Sequence, residues 1–349
     1  MTIKPSAVHT LLGVVVGFIL FMLTFGVEQY YRYHVSNLRS LDGKEHSFYI
    51  YPHTSVDSVL NMVRNSYDIS GELDLRWHMR LKVFKAPKPG YYVLPAEMGD
   101  KLFITTLQNG EQTPIRLKWT NQLHTREELA GKIASQLLLD SVDLIDRLSD
   151  DKYMAEFGLN AESSRCLFLP DTYEVYWTIS PDELFQRMNS EYRAFWTKER
   201  LDKAQALELT PVEVSILASI VESETYVLKD MPTIASLYIN RLRKNMPLQA
   251  CPTVIYAVGD FSIKRVLKSH LKVESPYNTY KHKGLPPGPI HCPLARTLDF
   301  VLNAPKTNYL YMCASPSLDG THIFSSSYGI HSSAARDYHT MMDNKKRKK

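Results

Sequence analysis

The chain has 349 residues, of which 44% are hydrophobic and 22% charged, and its formal net charge is +4. This composition is typical of a folded globular protein and excludes wholesale disorder. The last five residues are all Lys or Arg, and without them 36 basic residues (41 − 5) stand against 37 acidic ones. We interpret this basic tail as a solvated terminus, with contact to an anionic lipid or polymer as the alternative. The sequence contains no interleaved basic and aromatic pattern of the kind that predicts nucleic-acid binding.

The N-terminal region predicts a membrane anchor. Residues 11–27 (LLGVVVGFILFMLTFGV) carry no charge, and the uncharged region around them is long enough to span a bilayer. No small-residue cleavage pattern follows, and the aromatic-rich residues 28–34 suit a membrane interface. We therefore predict a first segment, 1–38, whose transmembrane span covers about residues 8–27. The few flanking basic residues leave its orientation open.

The cysteines do not indicate a metal site. Cys166, Cys251, Cys292 and Cys313 form no C-x-x-C pair and have no accompanying histidine spacing. In an extracytoplasmic compartment they could form disulfides, and a role as small buried hydrophobic residues is the alternative. We predict neither a metal nor another cofactor.

Residues 39–119 predict a small α+β module, because strand and helix signals alternate there between turn and capping residues. The predicted elements in chain order are a strand at 46–51, a helix from the Thr54-x-x-Asp57 cap signal to Val63, a helix at 73–83, a strand after Pro89-Gly90, and a helix from Met98 ended by Asn109-Gly110.

The remaining residues, 120–349, predict a larger mixed α/β domain. Capping signals at Thr125, Ser180 and Thr210 start helices, the last two with proline at the first helical position. After Leu248, proline and glycine are so frequent that the backbone must be mostly loop. Since loops carry functional sites more often than cores do, we expect these proline-rich loops to line a cleft.

Two glutamates lie near the end of the helix that begins at Thr210. On a helical wheel of about 100° per residue, Glu224 falls on an apolar stripe and Glu222 on a polar side. The stripe contains Val214, Leu217, Ile220, Val221 and Leu228, and the polar side contains Ser215, Ser219 and Tyr226. We predict that Glu222 is a solvated charge. A carboxyl on an apolar stripe loses the hydration of its charged form, so the pKa of Glu224 should rise, which suits a general acid. A buried, structurally paired carboxylate is the alternative for Glu224.

A single acid without a visible partner narrows the chemistry. Hydrolysis of a glycoside usually employs two carboxylates. A lyase acting on muramic-acid glycans needs one, because the sugar's own 6-hydroxyl attacks the anomeric carbon, and well-held groups reach effective molarities of ~10⁵ M or more. In such a lyase one carboxyl would protonate the leaving oxygen and then, as a carboxylate, take the proton of the 6-hydroxyl, and Glu224 is the candidate for that carboxyl.

Four segments of the second domain carry a family resemblance. They are LASIVESET (217–225), INRLRKNMPLQACPTVIYAVG (239–259), SPYNTYKHKGLPPGPI (275–290) and THIFSSSYGIHSSAARDY (321–338). Together they resemble the YceG-like (MltG-type) endolytic murein transglycosylases. The resemblance implies a single-pass inner-membrane anchor, a LysM-like module at 39–119, and a periplasmic catalytic domain at 120–349 with a buried catalytic helix. It also implies cleavage of MurNAc-β-1,4-GlcNAc bonds within peptidoglycan strands, which leaves 1,6-anhydro-MurNAc ends and terminates strand elongation.

The resemblance also implies roles for individual residues. Glu224 matches the family's catalytic acid, the second Glu of its E-x-E motif. The predicted substrate-binding residues are Gln249, Tyr277, Asn278, Thr279 and Tyr280, with turn stabilisation as the alternative for Asn278 and Thr279. Many members have Asp where this chain has Cys251, and Cys292 lies in the following proline-rich loop. We hypothesise that these two cysteines approach each other and form a bridge. For His322 and His331 we expect structural hydrogen bonding.

Two other functions stay open at this point. A muramidase would use water and leave reducing ends, whereas a catalytically inactive scaffold would hold peptidoglycan and recruit the synthesis machinery. A buried Glu224 without a role would cost stability, which disfavours the scaffold. The predicted partners are peptidoglycan strands, the lipid bilayer through the N-terminal helix, and peptidoglycan synthases.

Overall fold

The computed structural model describes residues 5–347, so Lys348 and Lys349 of the basic tail lie outside the described residues. The chain divides into two compact units. Unit 1 runs to Arg116 and also includes Glu174–Thr178, whereas unit 2 comprises Leu117–Tyr173 and the chain from Ile179 onward. The mixed α+β class predicted from the sequence is confirmed.

Helix α1, Pro5–His34, begins unit 1. Its part from His9 to His34 reaches a mean hydropathy of 2.5, and that apolar stretch is not buried. Within the described residues it is the one unbroken helix that is long and apolar enough to cross a membrane. This helix is consistent with the predicted single-pass anchor, and the side of the membrane on which the rest of the chain lies stays a prediction.

Short strands and helices fold around one apolar core in the rest of unit 1. In chain order they are β1 (Leu38–Ser40), β2 (His46–Ile50), α2 (Val56–Arg64), β3 (Tyr67–Ile69), α3 (Glu72–Leu81), β4 (Gly90–Leu94), β5 (Glu97–Met98), α4 (Asp100–Asn109) and, at the boundary, β6 (Ile115–Lys118). Strand β1 pairs antiparallel with both β3 and β5, and β2 pairs antiparallel with β4. Leu60, Leu75 and Phe103, one from each of the helices α2, α3 and α4, are fully buried in this core.

The local signals of unit 1 are confirmed with small shifts. Helix α4 ends at Gly110, whose φ of 73° lies in the left-handed region that glycine adopts without a Cβ clash. Helix α2 is capped by Ser55 rather than by Thr54, because the Ser55 hydroxyl accepts the backbone N–H of Ser58. The Thr54 hydroxyl instead donates to the carbonyl oxygen of Tyr51. The LysM-like character of this unit stays a prediction.

Unit 2 is mainly helical. Its elements in chain order are α5 (Arg126–Ala134), α6 (Ser141–Ser149), α7 (Asp151–Ala155), a 3₁₀ helix (Ser164–Leu167), β7 (Thr172–Val175, at the boundary), α8 (Pro181–Phe195), α9 (Lys198–Ala206), α10 (Pro211–Glu224), α11 (Met231–Arg243), α12 (Cys251–Val258), a second 3₁₀ helix (His270–Lys272), α13 (Ala295–Leu302), β8 (Tyr311–Ala314), β9 (His322–Ser325) and α14 (Tyr328–Arg347). The capping boxes predicted at Thr125, Ser180 and Thr210 are all formed. The helix that starts after Ser180, α8, ends at Phe195, and Thr197 caps the separate helix α9.

Helix α10 is surrounded by other elements of unit 2. It packs against α9, α11, α12 and α13, and every residue from Val214 to Glu222 is buried. Ser215 and Ser219 are fully buried as well, and each donates its hydroxyl to a carbonyl oxygen within the same helix. The predicted division into an apolar stripe and a polar side is therefore wrong, because no side of the helix is solvated between Val214 and Glu222, and Tyr226 and Leu228 lie beyond its end.

Candidate active site

A cavity of about 310 Å³ lies in unit 2 at the C-terminal end of α10. Its walls come from α10, α11, the loops around α12, the β8–β9 hairpin and α14. Its polar lining includes Glu224, Tyr238, Arg241, Gln249, Tyr280 and His322. Among the described lining residues, Glu224 is the one carboxylate, so the cavity brings a single acid together with several hydrogen-bonding groups.

Glu224 is the last residue of α10. Burial raises its pKa to about 7, against the lowering effects of a hydrogen bond from Tyr238 and of the positive charge of Arg241. The helix adds to the effect of burial, because the negative end of its dipole disfavours a carboxylate there. The carboxyl of Glu224 therefore holds its proton close to neutral pH, which is the state that a general acid requires.

Tyr238 and Arg241 lie one turn apart on α11, and they act on this carboxyl through a hydrogen bond and a positive charge, respectively. The Tyr238 hydroxyl donates a hydrogen bond of 2.6 Å to Glu224 Oε1. The guanidinium of Arg241 donates to the carbonyl oxygens of Leu248 and Leu310, each at 2.7 Å. Its charge is thereby held in the cavity wall without an ion pair to Glu224. Because Oε1 is engaged by Tyr238 and Oε2 accepts no hydrogen bond from a described residue, Oε2 is the oxygen open to a ligand.

Tyr238→Phe should move the pH dependence of any reaction that needs protonated Glu224. The loss of the hydroxyl removes a hydrogen bond that lowers the pKa of Glu224, so this pKa rises above about 7. A hydrogen bond to a charged group contributes about 1.5–3 kcal/mol, so the alkaline limb of the pH–rate profile should move up by about one to two pH units. Tyr153→Phe is the matched control, since its hydroxyl donates to Asp182 at 3.0 Å outside the cavity. An unchanged alkaline limb in Tyr238→Phe would contradict the expectation.

Two of the predicted substrate-binding residues line the cavity. Gln249 is exposed and has a φ of 52°, a left-handed conformation that is unfavourable for a residue with a Cβ. Its backbone N–H donates to the carbonyl oxygen of Thr279 at 3.0 Å, which holds this conformation. The hydroxyl of Tyr280 lies 3.4 Å from the thiol of Cys251. The loops thus present an amide and a phenol beside Glu224, and binding of substrate by these groups stays a prediction.

Tyr277, Asn278 and Thr279 are not among the described residues that line the cavity. Tyr277 donates its hydroxyl to Glu162 Oε2 at 2.7 Å. Asn278 is fully buried and donates to the backbone carbonyl oxygens of Leu271 and Val273. Thr279 accepts the backbone N–H that precedes α12. These side chains stabilise the loop that carries Tyr280, and their direct contact with a substrate stays a prediction.

The hypothesised bridge between Cys251 and Cys292 is not formed, and all four cysteines are free. Cys251 is exposed at the start of α12, whereas Cys292 is fully buried. Burial raises the pKa of the Cys292 thiol to about 12, and it does the same for the buried thiol of Cys166 nearby. Cys292 therefore packs as a small hydrophobic residue in the core and not at the cavity.

Glu222 corrects another expectation, because it is buried with only 7% of its surface exposed. Its Oε1 accepts a hydrogen bond of 3.1 Å from Asn121, and its Oε2 accepts the backbone N–H of Leu294 at 3.0 Å. Burial raises the pKa of this carboxyl. The prediction of a solvated charge was wrong, because α13 and the segment around Asn121 cover this side of α10. Glu222 therefore links these two segments through its hydrogen bonds, and it does not line the cavity.

Sequence reasoning missed Tyr238 and Arg241. The available signal was their spacing of three residues in a helix rich in apolar residues, which places both on one face. That spacing could not show that this face of α11 packs against the end of α10, because a local pattern does not determine the path of the loop between the two helices.

The fold and this cavity define a mixed α+β protein with a single carboxyl among the described residues of a polar cavity. Comparison with known families identifies the family to which the chain belongs. The model of the YceG-like family matches residues 48–337, so the chain belongs to the YceG-like family. The resemblance found in the sequence is thereby confirmed.

Individual relatives agree with this assignment. An endolytic murein transglycosylase of Bacillus subtilis (strain 168) is 26% identical over 307 residues, which cover 82% of this chain and 82% of that protein. A protein of the same name from Streptococcus pneumoniae (strain D39) is 24% identical over 339 residues, covering 86% of this chain, and the chain spans 60% of its length. The crystal structure of a YceG-like protein from Listeria monocytogenes has a TM-score of 0.55 and 26% identity, covering 83% of this chain and 99% of that one.

Proposed function

We propose that this protein is a membrane-anchored endolytic transglycosylase that cleaves MurNAc-β-1,4-GlcNAc bonds within peptidoglycan strands. Membership of the YceG-like family and relatives named endolytic murein transglycosylase support the proposal. The observation that carries it is Glu224, a carboxyl with a pKa of about 7 in a cavity where no other described lining residue is a carboxylate. The catalytic unit lies in the periplasm, ends nascent strands there, and works beside peptidoglycan synthases.

In the proposed reaction, Glu224 Oε2 gives its proton to the glycosidic oxygen as the bond to the anomeric carbon breaks. The 6-hydroxyl oxygen of the same MurNAc then bonds to that carbon and gives its proton to the Glu224 carboxylate, which yields a 1,6-anhydro end without consuming water. Negative charge develops on Glu224 in this step, and the Tyr238 hydroxyl and the Arg241 charge stabilise it. Both groups are already in place, so they need no reorganisation as the charge forms.

Hydrolysis by a muramidase is the weaker alternative. It would require a second carboxylate to activate water or to act as nucleophile. The described lining of the cavity offers amide, phenol, imidazole and thiol groups in that place. An intramolecular hydroxyl needs no such activation, because its effective molarity reaches ~10⁵ M or more.

The product decides between these functions. Intact sacculi are digested with the purified protein, and the soluble muropeptides are analysed by mass spectrometry. We expect anhydro ends, which are lighter by one water than reducing ends, at internal positions of the strands. Reducing ends would select hydrolysis, and binding to sacculi without cleavage would select a scaffold.

A further inference from the structure

A histidine paired with a buried aspartate lies in the wall of the same cavity. His322 begins strand β9, and its side chain is 14% exposed. Asp230 Oδ2 accepts both the backbone N–H of His322 at 2.8 Å and its ring Nδ1 at 3.2 Å. Asp230 occupies the N-cap position of α11, yet its side chain makes no capping hydrogen bond to that helix. Its carboxylate is directed at His322 instead.

This pairing determines which ring nitrogen of His322 is available. A carboxylate oxygen can only accept, so Nδ1 carries the hydrogen. In the neutral ring Nε2 then holds the lone pair, and no described residue donates to it. A base oriented by a carboxylate through its other nitrogen is the arrangement that activates hydroxyl nucleophiles in many enzymes.

Glu224 presents only one oxygen to the cavity, because Tyr238 engages the other. The proposed reaction moves two protons, one onto the leaving oxygen and one off the 6-hydroxyl. If Glu224 served both steps, Oε2 would have to finish giving its proton before it could accept another. A second proton acceptor in the cavity would allow the two proton transfers to take place together.

We propose that His322 Nε2 accepts the proton of the MurNAc 6-hydroxyl while Glu224 protonates the leaving oxygen. This inference rests on the proposed function and reassigns the second proton transfer, which the sequence-based scheme gave to Glu224. The bond from O6 to the anomeric carbon forms as the bond from that carbon to O4 breaks. His322 ends as imidazolium paired with Asp230, Glu224 ends as carboxylate, and the proton returns from one to the other through solvent. No water or other reagent is consumed.

His331, the other imidazole of the cavity, does not suit this role. Its ring stacks on Tyr311 with centroids 5.5 Å apart. Burial and the charge of Arg241 lower the pKa of His331, so a proton on it is disfavoured. In the structure Asp230 pairs with His322, and His331 has no carboxylate partner among the described residues.

The test uses the full chain with His322→Gln, His322→Ala and, as matched control, His282→Gln at an exposed loop position. Gln keeps a hydrogen-bonding group but cannot take a proton, so His322→Gln should lose about 10²-fold in turnover on sacculi. His282→Gln should retain wild-type turnover. Imidazole added to His322→Ala should raise the rate in proportion to the concentration of its neutral form, whereas it should not raise the rate of Glu224→Gln. Thermal melts establish that each variant is folded.

The possible outcomes separate this inference from the proposed function. If wild-type protein releases no anhydro products, the proposed function fails. If wild-type protein is active and His322→Gln retains its turnover within about 2-fold, His322 is not the acceptor. A folded His322→Ala variant that imidazole does not rescue would likewise overturn the inference. If the His322→Ala variant does not fold, the turnover of His322→Gln is measured on a second substrate, a glycan whose terminal MurNAc carries an aryloxy leaving group. That group needs little protonation, so the loss in Glu224→Gln should shrink while the loss in His322→Gln persists.

Discussion

Glu224→Gln should lower turnover on intact sacculi by about 10²-fold to 10⁴-fold. Gln has nearly the same size as Glu and can still accept the hydrogen bond from Tyr238, so the cavity keeps its shape. It cannot donate the acidic proton that the leaving oxygen needs. The measurement is the initial rate of anhydro-muropeptide release by wild-type and variant protein at the same concentration.

Glu222→Gln is the matched control for this loss. It is the same substitution on the same helix, two residues earlier, but the Glu222 carboxyl bonds Asn121 and Leu294 and does not line the cavity. We expect turnover within a few-fold of wild type and a loss of about 1 kcal/mol in the free energy of unfolding. Wild-type release by Glu224→Gln would remove Glu224 from the mechanism. A large loss of turnover in a folded Glu222→Gln variant would contradict the structural role given to Glu222.

The same Glu224→Gln substitution should stabilise the fold at alkaline pH. Folding raises the pKa of Glu224 from 4.5 to about 7. Between these values the unfolded chain releases a proton that the folded chain retains, so wild-type stability falls as pH rises through this window. The loss reaches about 3 kcal/mol above pH 7 and is absent below pH 4.5. Gln does not ionise, so the variant escapes this loss.

The measurement is the difference in unfolding free energy between variant and wild type, from denaturant titrations at pH 4 and pH 8. Comparing the two proteins at each pH cancels the titration of other groups, including Glu222. The difference should shift in favour of the variant by about 3 kcal/mol between the two pH values. A pH-independent difference would mean that Glu224 ionises in the folded protein like a free glutamate. We expect Glu224→Gln to be inactive but more stable than wild type at alkaline pH, because residues that serve activity often reduce stability.

Several features of this protein follow from sequence patterns alone. The capping boxes at Thr125, Ser180 and Thr210 form as predicted, because each is a contact between neighbouring residues that needs no other part of the chain. The apolar run of α1 is equally local, since its length alone matches a bilayer. Four ordered segments identified the family, and their match to its E-x-E motif pointed to Glu224, whereas the contrast that the helical wheel drew between Glu224 and a solvated Glu222 was wrong.

Features that depend on contacts between segments far apart in the sequence were determined only by the structure. The sequence predicted Glu222 to be solvated, yet Asn121 and Leu294, about one hundred and seventy residues apart from each other, cover it. The bridge between Cys251 and Cys292 failed for the same reason, because Cys292 faces the core. Tyr238, Arg241 and the Asp230–His322 pair were not recognised, since their importance lies in what they face across the cavity.

The sequence by itself determined the long apolar helix α1, the starts of the main helices and the family, because these depend on contacts within a few residues or on ordered motifs. Only the tertiary structure decided how Glu224 is held. The burial of Glu224, its hydrogen bond with Tyr238 and the effect of the Arg241 charge arise from the packing of α10 against α11, and His322 lies in a hairpin almost a hundred residues later in the sequence. A pKa depends on the distance to surrounding groups in space, and spacing along the chain does not fix that distance.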